Sequence, residues 1–435
     1  MMSDIGLYIQ EGVMSLQFIF GNSGSGKSHY LYESIIEESI RKPEWNYLVL
    51  VPEQFTMQTQ KDLCEMHPRG GIMNIDVLSF VRLSHRIFEE VGQEISRVLD
   101  DEGKNLILRK IAAMHQEDLP ILKGNLKKQG YISEVKSVIS EFTQYGVGFD
   151  TLDSFIETLN PESYLAYKLR DIRTIYEGFE DYLAEKYITK EEMLDRLSDV
   201  VPQSLLLKNS VIVLDGFTGF TPVQNRLLGT LMKVCRKIVI TVEMDEREDP
   251  FVYKHPYQLF AISKQMVSSL VRIAKEEDVA IEQSVYLYEQ PVKRFAGNPA
   301  MAFLEQELFR NSGKIYEETQ NVISIHETKN PKEEAEFIAG EVRRLIREKG
   351  FRLKDIGVIV SDMNVYAAHF ERAFTEYEIP VFMDYKKSIL LNAFVEYLRS
   401  LLAMAEQKFS YESVFRFLRT GMTGFSFDEI DCLEN

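Results

Sequence analysis

Cysteine is scarce in these 435 residues: Cys64, Cys235 and Cys432 stand far apart, with no Cys-x-x-Cys spacing. Metal sites and disulfide frameworks need clustered or paired ligands, so the three read as small buried hydrophobes in a reducing compartment. The 7 histidines are scattered and make no His-x-x-x-His or Glu-paired set. Neither a Gly-x-Ser-x-Gly elbow nor a paired-carboxylate nuclease constellation can be picked out. No apolar run approaches the roughly 18–20 residues that span a bilayer. Met1 to Gly12 carries Asp4 and Glu11 and has neither a basic start nor a long apolar segment, unlike a secretory signal. A cytoplasmic enzyme with no membrane partner is therefore expected. Positive charge is short as well, 50 basic against 67 acidic residues, for a net charge of -17. That argues against a protein that coats nucleic acid, because binding phosphates needs local positive potential. It leaves room for a narrow basic channel inside an acidic molecule, or for an acidic face that docks on a basic partner. The mildly basic run Lys123 to Lys136, with Lys127 and Lys128, reads as a solvated helical face.

What is present is an alternation of strands and helices. Leu16 to Phe20 reads as a buried strand running into a glycine-rich turn. A helix follows Ser28, with Leu31, Ile35, Ile36 and Ile40 on one side, and ends before Pro43. Tyr47 to Val51 is a second buried strand closed by Pro52. A helix from Glu53 toward Met66, a strand Ile72 to Leu78 and a helix Ser79 to Val91 come next. This spacing indicates a parallel, doubly wound sheet. From about Asp100 to Asp199 strand signals disappear. The stripes Leu165, Leu169, Ile172, Tyr176, Phe179, Leu183 and Ile132, Val135, Val138, Ile139, Phe142 indicate a helical bundle. Strands return at Ser210 to Leu214 and Lys237 to Val242, so residues 100–200 form a helical insertion within one α/β domain. After a weakly marked linker near 285–320, a second α/β set is expected. Its strands are Val322 to His326, Ile356 to Ser361 and Pro380 to Met383, and its helices Pro331 to Lys349 and Val365 to Tyr377.

Gly21-Asn22-Ser23-Gly24-Ser25-Gly26-Lys27-Ser28 is a complete P-loop pattern between a buried strand and an amphipathic helix. In this motif backbone N–H groups turn inward around phosphate oxygens, the lysine reaches the β and γ phosphates, and the hydroxyl ligates Mg²⁺. ATP with Mg²⁺ is thus the expected ligand, with Lys27 and Ser28 in those roles. Asp215 ends the clearest buried strand after the insertion and is the candidate carboxylate for Mg²⁺. Its other reading is a turn former before Gly216. Rapid ATPases also use a carboxylate or glutamine to orient the attacking water. The residues after Asp215, Gly216 to Phe220, offer none. Gln224 and Glu243 could substitute, against ordinary helix-start and strand-end roles, so slow turnover and binding without hydrolysis both stay open.

The stretches "YLVLVPEQFTMQTQ" and "NIDVLSFVRLSHRIF" after the P-loop, "VIVLDGFTGFTPVQNRLL" at 211–228, "ISIHETKNPKEEAEFIAGEVRRLIREKGFRLKDIGVIV" at 323–360 and the final "FDEIDCLEN" closely resemble the AddB family. AddB is the B subunit of the AddAB-type ATP-dependent helicase/deoxyribonuclease of Gram-positive bacteria, and the resemblance covers essentially everything from Met14. It implies a P-loop NTPase of the superfamily-1-helicase-like (RecA-like) α/β class, with a parallel sheet, a large helical insertion and the start of a second RecA-like domain. Residues 1–13 would be an N-terminal extension or the product of a misassigned start codon. Residues 14–290 would form the first domain and 291–435 the truncated second. The resemblance implies a heterodimer with the A subunit, AddA, that processes double-strand DNA ends for recombinational repair, AddB scanning the single strand for the hotspot (Chi) sequence. Asp215 falls at the second helicase motif, whose usual Asp-Glu is here Asp-Gly. The strand ending Val242-Glu243-Met244-Asp245 lacks the third motif's glutamine. The family's nuclease and its 4Fe-4S cluster would lie beyond residue 435, and the three cysteines do not match the cluster ligands. Two further readings stand beside this one. The first is a nucleotide-binding DNA-recognition scaffold without hydrolysis; the second is an unrelated P-loop ATPase, which the spaced motifs oppose.

Overall fold

The computed structural model describes residues 14–93, 97–125, 128–183 and 187–434. The expected extension 1–13 and Lys127 lie outside the described residues. The chain forms two compact units, one up to Ile323 and one from Ser324.

In the first unit β1 (Ser15–Gly21), α1 (Lys27–Arg41), β2 (Asn46–Leu50), α2 (Thr56–Met66), β3 (Ile75–Leu78) and α3 (Phe80–Val91) follow one another. The insertion holds β4 (Arg97–Val98), α4 (Asp101–Met114), α5 (Gln129–Tyr145), α6 (Phe149–Thr158), α7 (Tyr164–Leu183), β5 (Tyr187–Ile188) and α8 (Lys190–Val200). Then come the single turn α9 (Leu205–Lys208), β6 (Ser210–Leu214), α10 (Pro222–Met232), β7 (Lys237–Glu243), α11 (Ala261–Glu276), β8 (Ala280–Ile281), β9 (Val285–Leu287) and α12 (Pro299–Glu307).

The main sheet is parallel, in the order β3-β2-β6-β7-β1-β8, with β9 also pairing along β1. Both faces are covered, which is why its strands read as near-continuous apolar runs. Alternate side chains separate into two cores. Leu16, Phe18, Phe20, Ile212, Leu214 and Ile240 pack with α3, α8, α10 and α11. Ile19, Tyr47, Val49, Val211, Val213 and Val239 pack with α1 and α2. Leu31 and Ile35 of α1 are fully buried, each such side chain contributing about 1.5–3 kcal/mol. Ile40, at the end of the same stripe, is exposed.

The insertion has its own core of Leu108, Ile111, Ile132, Ile139, Ile172 and Phe179. The two stripes and α4 supply it, apart from Leu165, which is exposed, and Leu169, which is half-buried and outside this core. Among the described residues the only break in its helical character is the two-residue pair β4–β5. Lys123, in a turn, pairs with Glu117, and Lys136 of α5 pairs with Asp101 with its side chain only 16% exposed, so a solvated helical face does not describe Lys136.

The second unit contains α13 (Pro331–Lys349), α14 (Met363–Glu376), α15 (Ala393–Glu406), α16 (Tyr411–Leu418) and α17 (Phe427–Glu434). Ala335, Ala339 and Ala373 let α13 and α14 approach closely around Phe370 and Phe374. The three strands expected here are a correction. Residues 322–326, 356–361 and 380–383 pair with no strand among the described residues. Strand backbone needs a neighbour for its N–H and C=O groups, and sequence pattern cannot supply one. Ile325, Ile359 and Phe382 on these segments are almost wholly exposed.

Of the cysteines only Cys235 is buried, its thiol pKa pushed up by desolvation. Cys64 is half-buried and Cys432 exposed, so the expectation of three buried cysteines fails for those two. No helix among the described residues is long and apolar enough to cross a membrane.

Candidate nucleotide site

The glycine-rich turn joins β1 to α1 at the C-terminal edge of the sheet. Gly24 and Gly26 take φ of +82° and +93°, left-handed values that favour glycine. Gly21 is held by space: a Cβ there would lie 2.8 Å from the Leu287 carbonyl oxygen. Gly26 is the N-cap residue of α1 and supplies no side-chain cap, and the first turn of the helix carries no acidic residue. The first-turn N–H groups of a 15-residue helix therefore meet no capping side chain, and the positive end of its dipole is left for an anion.

Lys27, the first residue of α1, folds back, and its Nζ donates to the carbonyls of Gly21 and Asn22, each at 2.9 Å. Burial pulls its pKa below the usual lysine value, Glu243 and then Asp215 pull it back up, Arg294 lowers it and Glu305 raises it. Ser28, next on the helix, is half-buried. Asn22 Oδ1 and Ser25 Oγ are buried without a hydrogen-bond partner. Orphaned polar atoms of this kind mark a cradle built for something polar.

Asp215 follows β6, two strands from the loop with β7 between. It is buried, and its two oxygens accept from the hydroxyls of Tyr32 at 2.8 Å and Thr241 at 2.5 Å. Both partners donate, so the carboxylate keeps lone pairs for a further ligand. Among the described residues no group of three or more His, Cys, Asp or Glu could hold a metal alone. That donor set suits Mg²⁺, which keeps several waters and takes one or two protein oxygens beside substrate phosphates. Ser28 and Asp215 would hold it, and the ion would neutralise phosphate charge there. Gln224 is consumed in a capping box with Thr221 at the start of α10, its ordinary helix-start role. Glu243 ends β7 in register with Gly21 and is exposed.

Sequence reasoning missed the segment after β9. Where a linker was expected, residues 285–307 carry β9, a 3₁₀ turn and α12, and they lie against the phosphate loop. The Arg294 N–H donates to the Gly24 carbonyl at 3.1 Å. Lys293 packs so closely that a Cβ on Gly26 would lie 3.0 Å from its Cδ. Asn22 Nδ2 donates to Glu305 at 2.9 Å. Two cations and a carboxylate thus border the cradle from some 270 residues away, as the separations in chain number imply. No local motif ties them to it, and the pairing of β9 with β1 at Ile19–Gly21 puts them there.

A family model described as "ADDB, N-terminal" matches residues 18–305, a span holding both the loop and its flanking segment. The chain belongs to the ADDB N-terminal family. The match ends within α12, and a UvrD-like helicase C-terminal domain model matches residues 295–434. The ATP-dependent helicase/deoxyribonuclease B subunit of Lachnoclostridium phytofermentans is 44% identical over 425 residues, 97% of this chain and 37% of that protein. Proteins of the same name from Caldanaerobacter subterraneus subsp. tengcongensis and Clostridium kluyveri are 35% and 33% identical over 97% of this chain and 36% of their own lengths. This ADDB family chain spans little more than a third of the length of the curated relatives it matches.

Proposed function

We propose that this chain is the ATP- and DNA-binding N-terminal part of the B subunit of a heterodimeric ATP-dependent helicase/deoxyribonuclease. The complex would process double-strand DNA ends for recombinational repair. Its partner would be the A subunit, and this chain would help read the hotspot (Chi) sequence. Residues 14–290, with the helical insertion at about 100–200, would be the first RecA-like domain and 291–435 the start of the second, although residues 291–323 fall in the compact unit of the first. The reading takes its activity and partner from the names of the relatives. Its nucleotide site rests on one observation: a helix N-terminus without a side-chain cap, wrapped by a glycine loop whose lysine bonds back to the loop's own carbonyls.

In that site Gly21 to Ser28 cradle the phosphates of ATP. Lys27 leaves the carbonyls of Gly21 and Asn22 for the β and γ phosphates, and Ser28 and Asp215 hold the Mg²⁺ that arrives with them. The dispersed cysteines leave the 4Fe-4S cluster to the part of the longer relatives that this chain does not cover. The scaffold reading, binding without turnover, draws its support from Gly216, which puts no side chain beside Asp215.

Replacement of the lysine tests the site. Lys27→Ala should reduce Mg-ATP affinity by at least about tenfold, the loss of one charge-assisted contact being worth roughly 1.5–3 kcal/mol. Its melting temperature without nucleotide should stay near wild type. Equilibrium binding of a fluorescent ATP analogue reads the first and thermal denaturation the second. Unchanged affinity in a folded variant would remove the assignment.

A further inference from the structure

A side-chain contact joins the phosphate loop to α12. Asn22, 3% exposed, donates through Nδ2 to one Glu305 oxygen at 2.9 Å, across 283 residues of sequence. The other Glu305 oxygen and Asn22 Oδ1 are both buried without a hydrogen-bond partner. A carboxylate held by one neutral amide, with its second oxygen desolvated and unmet, is bound at a cost and is readily drawn away.

The surroundings of α12 leave it able to respond. Of its residues only Ala300 and Ala302 are buried. Met301, Leu304 and Glu305 share with Ser23 of the loop a cavity of about 490 Å³, so apolar packing between helix and loop is thin on that side. The helix is held at two other points. The Arg294 N–H, in the 3₁₀ turn before it, donates to the Gly24 carbonyl at 3.1 Å, and Arg247 donates to the Gln306 carbonyl at 2.6 Å.

Lys27 shows where a terminal phosphate would act. Its Nζ rests 2.9 Å from the carbonyl of Asn22, the residue whose side chain holds Glu305. Burial, the largest influence, lowers the Lys27 pKa, while the charges of Glu243, Asp215 and Glu305 raise it. In a P-loop this lysine turns to the β and γ phosphates. A diphosphate brings its charge to the glycine turn and the start of α1, where Arg294 and Lys293 pack beside Gly24 and Gly26. A γ phosphate adds charge at the Lys27 end, among the carboxylates. Asp215 meets it through Mg²⁺ in the site proposed above. Glu243 is exposed at its strand end and so is screened by water and salt. Glu305 is half-buried and pinned to the loop, which leaves its repulsion of the new charge the least relieved.

We infer that Glu305 is the residue by which this loop distinguishes a nucleoside triphosphate from a diphosphate: the γ phosphate drives its carboxylate off Asn22 and frees α12, and a diphosphate leaves the contact in place. The inference rests on the nucleotide site proposed above and concerns binding alone. The coupling is reciprocal, so the free energy taken to displace Glu305 is withheld from triphosphate affinity. Glu305→Gln keeps an oxygen for Asn22 and removes the charge.

The test uses the full-length protein with Mg²⁺ and two ligands, ADP and the non-hydrolysable β,γ-imido analogue of ATP. Affinity is read by calorimetry, and α12 by hydrogen exchange with mass spectrometry. In wild type the analogue should speed exchange of the α12 amides about tenfold, and ADP should leave it within about twofold. Glu305→Gln should bind the analogue about tenfold more tightly and ADP within about twofold of wild type, with no acceleration in α12 by either. A structural role alone would move both affinities together, and that result overturns the inference. So does equal α12 exchange with the two ligands in wild type, a measurement that needs no variant to fold; if both ligands bind, the nucleotide site still stands. A wild-type protein that binds neither ligand overturns the site reading as well.

Discussion

Tyr32 ties the phosphate-loop helix to the strand that ends in Asp215, through a hydroxyl buried between the two. Burial, and next the Asp215 charge, raise its pKa above the usual tyrosine range, so it stays a hydrogen-bond donor at any physiological pH. A buried carboxylate that loses a donor keeps its desolvation cost, and hydrogen bonds to charged groups are worth about 1.5–3 kcal/mol. Tyr32→Phe should therefore lower the unfolding free energy by an amount in that range, measured as a shift in urea midpoint with unchanged slope. A shift indistinguishable from zero would mean that Thr241 alone satisfies Asp215. Residues also differ in how far sequence reveals them. The eight residues of the loop could be read directly, because glycine at left-handed positions and lysine at a helix start are local requirements. Asp215 was legible as the end of an apolar strand. Tyr32, Thr241, Lys293, Arg294 and Glu305 were not, since their roles come from register and crossover connections that no short motif encodes.

Elements were read where periodicity reports burial and misread where it has no partner to report. The strands of the first unit alternate side chains between two covered faces, so each apolar run found its place in the sheet. In the second unit the same kind of run yields unpaired segments with Ile325, Ile359 and Phe382 in the open. A strand is a property of at least two segments, whereas α13 and α14 needed only their own stripes of Ala, Val and Phe. The insertion carries a further feature that pattern could not foretell. On α7, Glu180 is half-buried against Glu192 of α8, and burial first, then the charge of Glu192, raise it to about 7. A carboxyl whose folded pKa exceeds its unfolded value favours the folded state while protonated. Its contribution is complete below the ordinary value of 4.5 and is lost as pH rises through about 7. Glu180→Gln mimics the protonated form, so it should raise the melting temperature at pH 8 and leave it unchanged near pH 4.5. Equal shifts at both values would show that Glu180 stays ionised throughout.

At the scale of the whole chain the division into units is itself open to measurement. The first unit closes around α12, whose end is anchored where Arg310 and Arg247 both grip the buried Asp245. Although burial, the largest influence, works the other way, the hydrogen bonds from these arginines hold the Asp245 carboxyl down to about 2. From residue 311 to residue 330 there is neither helix nor strand, and most side chains are exposed, until Asn330 caps α13. Proteases cut chain that can enter an active site in extended form, and backbone held in helices and buried sheets resists them. Lys314 and Lys329 lie in this exposed stretch. Helix α5 of the insertion also carries exposed side chains, but its backbone is bonded into the helix and packed on α4 and α7. Limited trypsin digestion should therefore cut after Lys314 or Lys329 sooner than inside 101–200, and that cut frees a fragment that contains the entire nucleotide loop together with Lys293, Arg294 and Glu305. That fragment should retain ATP binding, since every residue of the cradle precedes the cut. First cleavage inside 101–200, detected by mass spectrometry of early fragments, would show instead that the insertion is the weaker body, and that unit one does not hold together around the site it builds.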